Sequence, residues 1–183
     1  AASDVYKRQG PETISLTQAD AAGNVSDPVT RDISIDTTAP SAPVVNAVAL
    51  DDVVNAAEKT AGITLTGSNE AGASVKINLG GADIDLGTVA GTSWSYTLDA
   101  AAVAALGEGA KTLTATQTDA AGNSSTGSRP FTIDTMAPAA PTINTVAGDN
   151  TFNSTEAGSA ITGTAEANAT VTLSLGGQTV TCL

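Results

Sequence analysis

Val75-Lys-Ile-Asn-Leu-Gly-Gly81 places an apolar side chain at every second position and then stops at a glycine pair. A period of two belongs to a strand with one face buried, because successive side chains of extended backbone point to opposite sides. Just upstream, Ile63-Thr-Leu-Thr-Gly67 has the same alternation and the same stop. Working outward, further strands are expected at Val44 to Val48, Ile84 to Val89, Trp94-Ser-Tyr-Thr-Leu98, Leu113 to Thr118 and Phe131-Thr-Ile133. Trp94 and Tyr96 should share one inward face, joining Ile63, Leu65, Val75, Ile77, Leu79, Leu98, Leu113, Phe131 and Ile133 in the core. Seven short strands separated by turn residues form the pattern of an immunoglobulin-like β-sandwich. The alanine-rich stretch Asp99 to Leu106 favours helix instead and is read as one helical turn in the crossover between the fifth and sixth strands.

The same frame recurs along the chain. Asp20-Ala-Ala-Gly-Asn24 returns 99 residues later as Asp119-Ala-Ala-Gly-Asn123, and Asp36-Thr-Thr-Ala-Pro40 returns 98 later as Asp134-Thr-Met-Ala-Pro138. Asn55-Ala-Ala-Glu58 returns 98 later as Asn153-Ser-Thr-Glu156, and Leu79-Gly-Gly81 returns 96 later as Leu175-Gly-Gly177. The chain therefore divides into the end of one repeat (10–36), a complete repeat (37–134) and the first half of another (135–181). The fold class is all-β, with sandwich repeats in tandem. Thr13 to Ala19 is expected to be a strand left over from the first of them. The stretches at 1–9 and 182–183 fall outside the frame. Ser3-Asp-Val-Tyr-Lys-Arg-Gln9 resembles translated sequencing-adapter DNA, and both ends are read as artefactual.

Composition narrows the chemistry. The 183 residues carry a formal charge of −12 and no histidine. Nucleic-acid recognition needs a basic face, so no such partner is expected. Without histidine, His-based triads and most catalytic zinc sites are excluded, and the chain is not read as an enzyme. Asp83 and Asp85 lie on one strand face, but without an aromatic platform they are read as solvated. Cys182 is the lone cysteine, so no internal disulfide can form. No apolar run reaches the length of about 18 residues that suggests a membrane span.

The Asp-Thr-x-Ala-Pro junction, Trp94-Ser-Tyr, Leu106-Gly-Glu-Gly109 before Lys111-Thr-Leu-Thr-Ala-Thr116, and Asp119-Ala-Ala-Gly-Asn123 together resemble the bacterial Ig-like repeats of giant surface adhesins. The resemblance implies a secreted, cell-surface location, type I secretion, a biofilm setting, and neighbouring repeats of the same chain as partners. It also implies calcium at the junctions between modules. The function expected is a structural spacer, or stalk. The alternatives are a glycan- or protein-binding Ig-like module and an accessory domain of a secreted glycosidase.

Topology says where such an ion would sit. The entering linker with Asp36, the loop with Glu70 and the loop with Asp119 and Asn123 belong to one end of the sandwich, and calcium takes six to eight oxygens. The other reading of Asp119 and Asn123 is a self-bonded tight turn with Gly122 at positive φ. At the opposite end Asp51, Asp52, Asn55 and Glu58 stand beside Asp134. There the readings are a second calcium site, or a solvated turn with an asparagine cap.

Overall fold

The computed structural model describes residues 9–182. The peptide through Arg8 and the final Leu183 lie outside the described residues, so the reading of them as foreign is not addressed there. The chain forms two compact units, one ending at Thr135 and one beginning at Met136.

The first unit opens with a hairpin of β1 (Gly10–Leu16) and β2 (Val29–Ile35), paired antiparallel from Gly10 opposite Ile35 to Leu16 opposite Val29. The leftover strand thus starts and ends three residues earlier than Thr13 to Ala19, and Ala19 makes only an isolated bridge to Val25. The hairpin leaves Ile14, Leu16, Val29 and Ile33 exposed.

The central sandwich follows. Its strands are β3 (Val53–Val54), β4 (Ile63–Ser68), β5 (Ser74–Leu79), β6 (Ala82–Thr88), β7 (Ser93–Leu98), β8 (Gly109–Thr118) and β9 (Ser124–Ile133). One sheet has the order β3-β9-β8-β5-β6, and the other is the pair β4-β7. The apolar faces of both sheets meet in one core containing all the residues expected, with Tyr96 at its margin, together with Val45, Val48, Val54, Val103 and Ala115.

Two features correct the sequence reading. Val44 to Val48 is not a strand. Pro43 cannot donate to a ladder, and left-handed backbone at Ala49, Leu50 and Asp52 (φ 51°, 77° and 66°) turns the chain away after a single bridge from Val45 to Gly67. The chain then crosses to the other sheet, where β3 runs parallel to β9. The loop after it also does more than turn: it forms helix α1 (Ala56–Ala61). Asn55 caps this helix, accepting from Ala57 and Glu58 N–H, while Glu58 accepts from Asn55 N–H, a reciprocal capping box. The helical turn expected in the crossover is α2 (Ala100–Leu106), capped by Asp99 and buried through Val103.

The second unit holds two antiparallel pairs, β10 (Thr142–Ile143) with β11 (Gly163–Thr164) and β12 (Val171–Leu175) with β13 (Gln178–Cys182). Ile143, Ile161, Val171 and Leu173 line an open apolar groove, and Phe152, Leu175 and Val180 are exposed.

Candidate functional site

The residues that decide how one module joins the next are short polar side chains around the linker. At its upstream end, Gln9 Oε1 accepts from Thr37 N–H and from Thr37 Oγ1–H at 3.0 and 3.1 Å, and Gln9 Nε2 donates to Asp36 Oδ1 at 2.7 Å. Gln9 was set outside the repeat, yet it makes the bonds that its counterpart makes one repeat later. There Glu108 accepts from Thr135 N–H at 3.0 Å and from Thr135 Oγ1–H at 2.5 Å. Lys59 reaches Glu108 Oε1 at 3.4 Å. Every linker thus begins with a threonine held by the preceding module.

The downstream end is held by the following module. Glu70 Oε1 accepts from both N–H and Oγ–H of Ser41 at 2.8 Å. The Ser41 carbonyl accepts from Ser125 Oγ–H at 2.9 Å and from Gln117 Nε2–H. Gln117 is fully buried, and its Oε1 takes Glu70 N–H at 2.7 Å, so both ends of this amide are satisfied. In the second unit Glu166 takes the place of Glu70 and accepts from Ala139 N–H at 3.2 Å.

Asp36, Asp119 and Asn123 are brought together, but around an amide. Asn123 Nδ2 donates to the Asp36 carbonyl at 3.1 Å and to Asp119 Oδ2 at 3.0 Å. Asp119 Oδ1 accepts from Ala121 and Asn123 N–H, both at 2.9 Å, with Gly122 at φ 95°. The tight-turn reading is therefore the observed one, and the preceding copy repeats it with Asp20, Asn24 and Gly23. These hydrogen bonds, with that of the Asn123 side chain foremost, hold the Asp119 carboxyl below its ordinary range.

The residues do not fit calcium in this arrangement. A cation needs converging oxygens, whereas Asn123 presents its N–H2 group between Asp119 and Asp36, and Glu70 is turned to Ser41. At the opposite end Asp51 Oδ1 accepts from Val53 N–H at 3.0 Å. Asp52 grips Arg129 through two bonds, Nε to Oδ1 at 2.7 Å and Nη2 to Oδ2 at 2.6 Å. Asp134 N–H donates to the Val54 carbonyl at 3.0 Å. Among the described residues, no three or more Asp, Glu or Cys side chains are grouped to hold a metal ion. Asp83 accepts from Asn78 Nδ2–H, and Asp85 from Gly87 N–H.

The ion pair makes a pH prediction. The Arg129 side-chain hydrogen bonds hold the Asp52 carboxyl low, and Thr135 does the same for Glu108. A depressed folded-state pKa gives stability that is present above the ordinary carboxyl value, about 4, and is lost as pH falls through the folded value below it. With no histidine in the chain, Tm should be flat from about pH 5 to 8 and fall below about pH 4. Asp52→Asn should flatten part of that acid limb. An unchanged acid limb would remove Asp52 from the account.

Residues 47–135, within the central unit, match the model for the bacterial Ig-like domain. Among solved structures, the chain is similar to a Ca2+-stabilized adhesin that helps an Antarctic bacterium bind ice, at 29% identity and TM-score 0.43, covering 94% of this chain and 45% of that one. It is similar to a 1.5-MDa bacterial ice-binding adhesin at 28% identity and TM-score 0.46, covering 96% and 60%. A bacterial immunoglobulin-like domain from the M. primoryensis ice-binding adhesin matches 53% of this chain over its whole length at 29% identity and TM-score 0.41. The chain thus spans about half of the first two. No curated protein matches it. Among the described residues, no helix is long and apolar enough to cross a membrane.

Proposed function

We propose that the chain is a run of spacer modules from the stalk of a bacterial surface adhesin, with its inter-module linkers clamped by the chain's own hydrogen bonds. The observation that supports this is the double hold on the linker. Thr37 is held by the hairpin before it and Ser41 by the sandwich after it, leaving only Thr38, Ala39 and Pro40 between. Proline fixes its own φ and restricts the residue before it, so the short span has little freedom. Asn123 adds a third tie at Asp36.

Calcium stabilises one of the similar adhesins; an ion at this junction would have to displace the bonds at Asp36, Asp119, Asn123 and Glu70. Melting of the full chain in millimolar calcium and in chelator should give the same Tm. A calcium-dependent rise that vanishes in Asp36→Ala combined with Asp119→Ala would overturn the direct clamp and put a cation there. The clamp itself is read by hydrogen exchange. Glu70→Ala should speed exchange of the Ser41 amide at least tenfold, while amides in the middle of β8 keep their rates.

The spacer role requires that the module bind nothing beyond its neighbours. The 183-residue chain should show no saturable binding on a glycan array or to immobilised matrix proteins. Saturable binding lost on mutation of an exposed loop would favour a recognition module instead.

A further inference from the structure

Along β8 the inward row runs Leu113, Ala115, Gln117, and the last of these is an amide only 1% exposed. Burying an amide is costly unless both of its ends are bonded. Here they are, and the two partners also hold one another. Gln117 Oε1 accepts from Glu70 N–H, Gln117 Nε2 donates to the Ser41 carbonyl, and the Glu70 carboxylate in turn accepts from Ser41 N–H and Oγ–H. Linker, loop and strand thus close a ring of three residues. Ser125 Oγ–H fills the second lone pair of the Ser41 carbonyl. Pro40 and Pro43, on either side of Ser41, are buried as well, so this part of the linker is seated on the sandwich that follows it.

Dependence in such a ring runs both ways. If Ser41 leaves, the Gln117 N–H2 group is stranded in the core; if the amide is lost, nothing ties the Ser41 carbonyl to the Glu70 backbone. We propose that Gln117 is the positioning residue of the junction, its buried amide fixing where the entering linker crosses the module by making Ser41 and Glu70 one cooperative element. The inference rests on the spacer reading and deepens it, since the direction of a linker matters to a stalk. The parts recur along the chain: Gln18 stands 99 residues before Gln117, Ser26 99 before Ser125, and Glu166 96 after Glu70. Ala139 stands where Ser41 does one repeat later. The ring tolerates that change, because the linker's two backbone bonds use only N–H and C=O.

Amide hydrogen exchange of the full chain tests the proposal. In the wild type the Ser41 and Glu70 amides should open together, with protection factors within about fivefold of each other. Gln117→Met keeps the length of the side chain and removes both polar ends. It should speed Ser41 exchange about tenfold or more although Glu70 is untouched, while amides in the middle of β8 keep their rates. The decisive variant combines Glu70→Ala with Gln117→Met. It should exchange Ser41 no faster than the faster single change, because either one already opens the ring. Rates that multiply, to about a hundredfold, would make the two holds independent and overturn the proposal. So would a Ser41 amide unmoved by Gln117→Met, or a wider gap between Ser41 and Glu70 in the wild type, a measurement that needs no variant to fold. A saturable ligand for the module would remove the spacer reading and leave these exchange rates as they are.

Discussion

Trp94→Ala should cost the central unit about 3–5 kcal/mol. Trp94 is 4% exposed, and its neighbours across the core come from both sheets. Against a typical domain stability of about 5–15 kcal/mol, that loss would bring the module close to unfolding. Trp94 is also the only tryptophan, so fluorescence of the wild type reports this one module. Its indole N–H is buried with no partner, which carries a cost of its own. Trp94→Phe removes that unpaired donor along with part of the ring, and should cost clearly less than the alanine change. Denaturant titration followed by circular dichroism measures both. A near-neutral Trp94→Ala would show that the ring is not a core element and would return it to the role of a surface platform.

Gly127→Ala and Gly67→Ala should each destabilise by about 1–3 kcal/mol or more, the range for forcing atoms into filled space. A Cβ on Gly127 would lie 1.9 Å from the Pro43 carbonyl oxygen, and one on Gly67 would lie 2.2 Å from that of Val44 and 2.4 Å from the Trp94 ring. The obstacles are largely backbone, which cannot swing aside. Gly163 repeats the arrangement in the second unit, with the Thr142 oxygen 1.9 Å away. Gly72 is the control. Its Cβ would meet nothing within 4 Å, but its φ is +82°, so alanine there costs only the left-handed penalty of about 1–2 kcal/mol. Equal Tm losses at Gly127 and Gly72 would show that crowding is not what Gly127 avoids.

The strands β4 to β7 and the buried parts of β8 and β9 were legible because period two survives wherever one sheet face is buried, whereas Gly109–Thr112 and Ser124–Pro130, which carry no buried apolar residue, were not. What failed was short or irregular. Val53–Val54 is too brief to show a period, and Val45 and Val48 are both buried although they stand three positions apart, an odd spacing that a strand would put on opposite faces. Asn55 read correctly as a cap, because an asparagine three residues before a glutamate has a local partner. The linker clamps had no such signature. Glu108, Gln117 and Ser41 are single polar residues whose clamp partners lie 27 to 84 positions away. Aligning the repeats could have singled out Glu70 with Glu166, since both precede a turn at the same frame position. At Asp119 the sequence offered two chemistries, an ion or a turn, and only the direction of the Asn123 amide separates them.

The parallel pairing of β3 with β9 has a mechanical consequence. These two strands lie near opposite ends of the module's sequence and run in the same direction, joined by Thr132 N–H to the Asp52 carbonyl and Asp134 N–H to the Val54 carbonyl. Tension along a tethered chain would drag the two strands in opposite senses along their common axis, loading those bonds together in shear. An antiparallel hairpin pulled from its open end yields one bond at a time. The crossover that replaces the expected strand at Val44 to Val48 with β3 thus gives each module a grip against being drawn out under load.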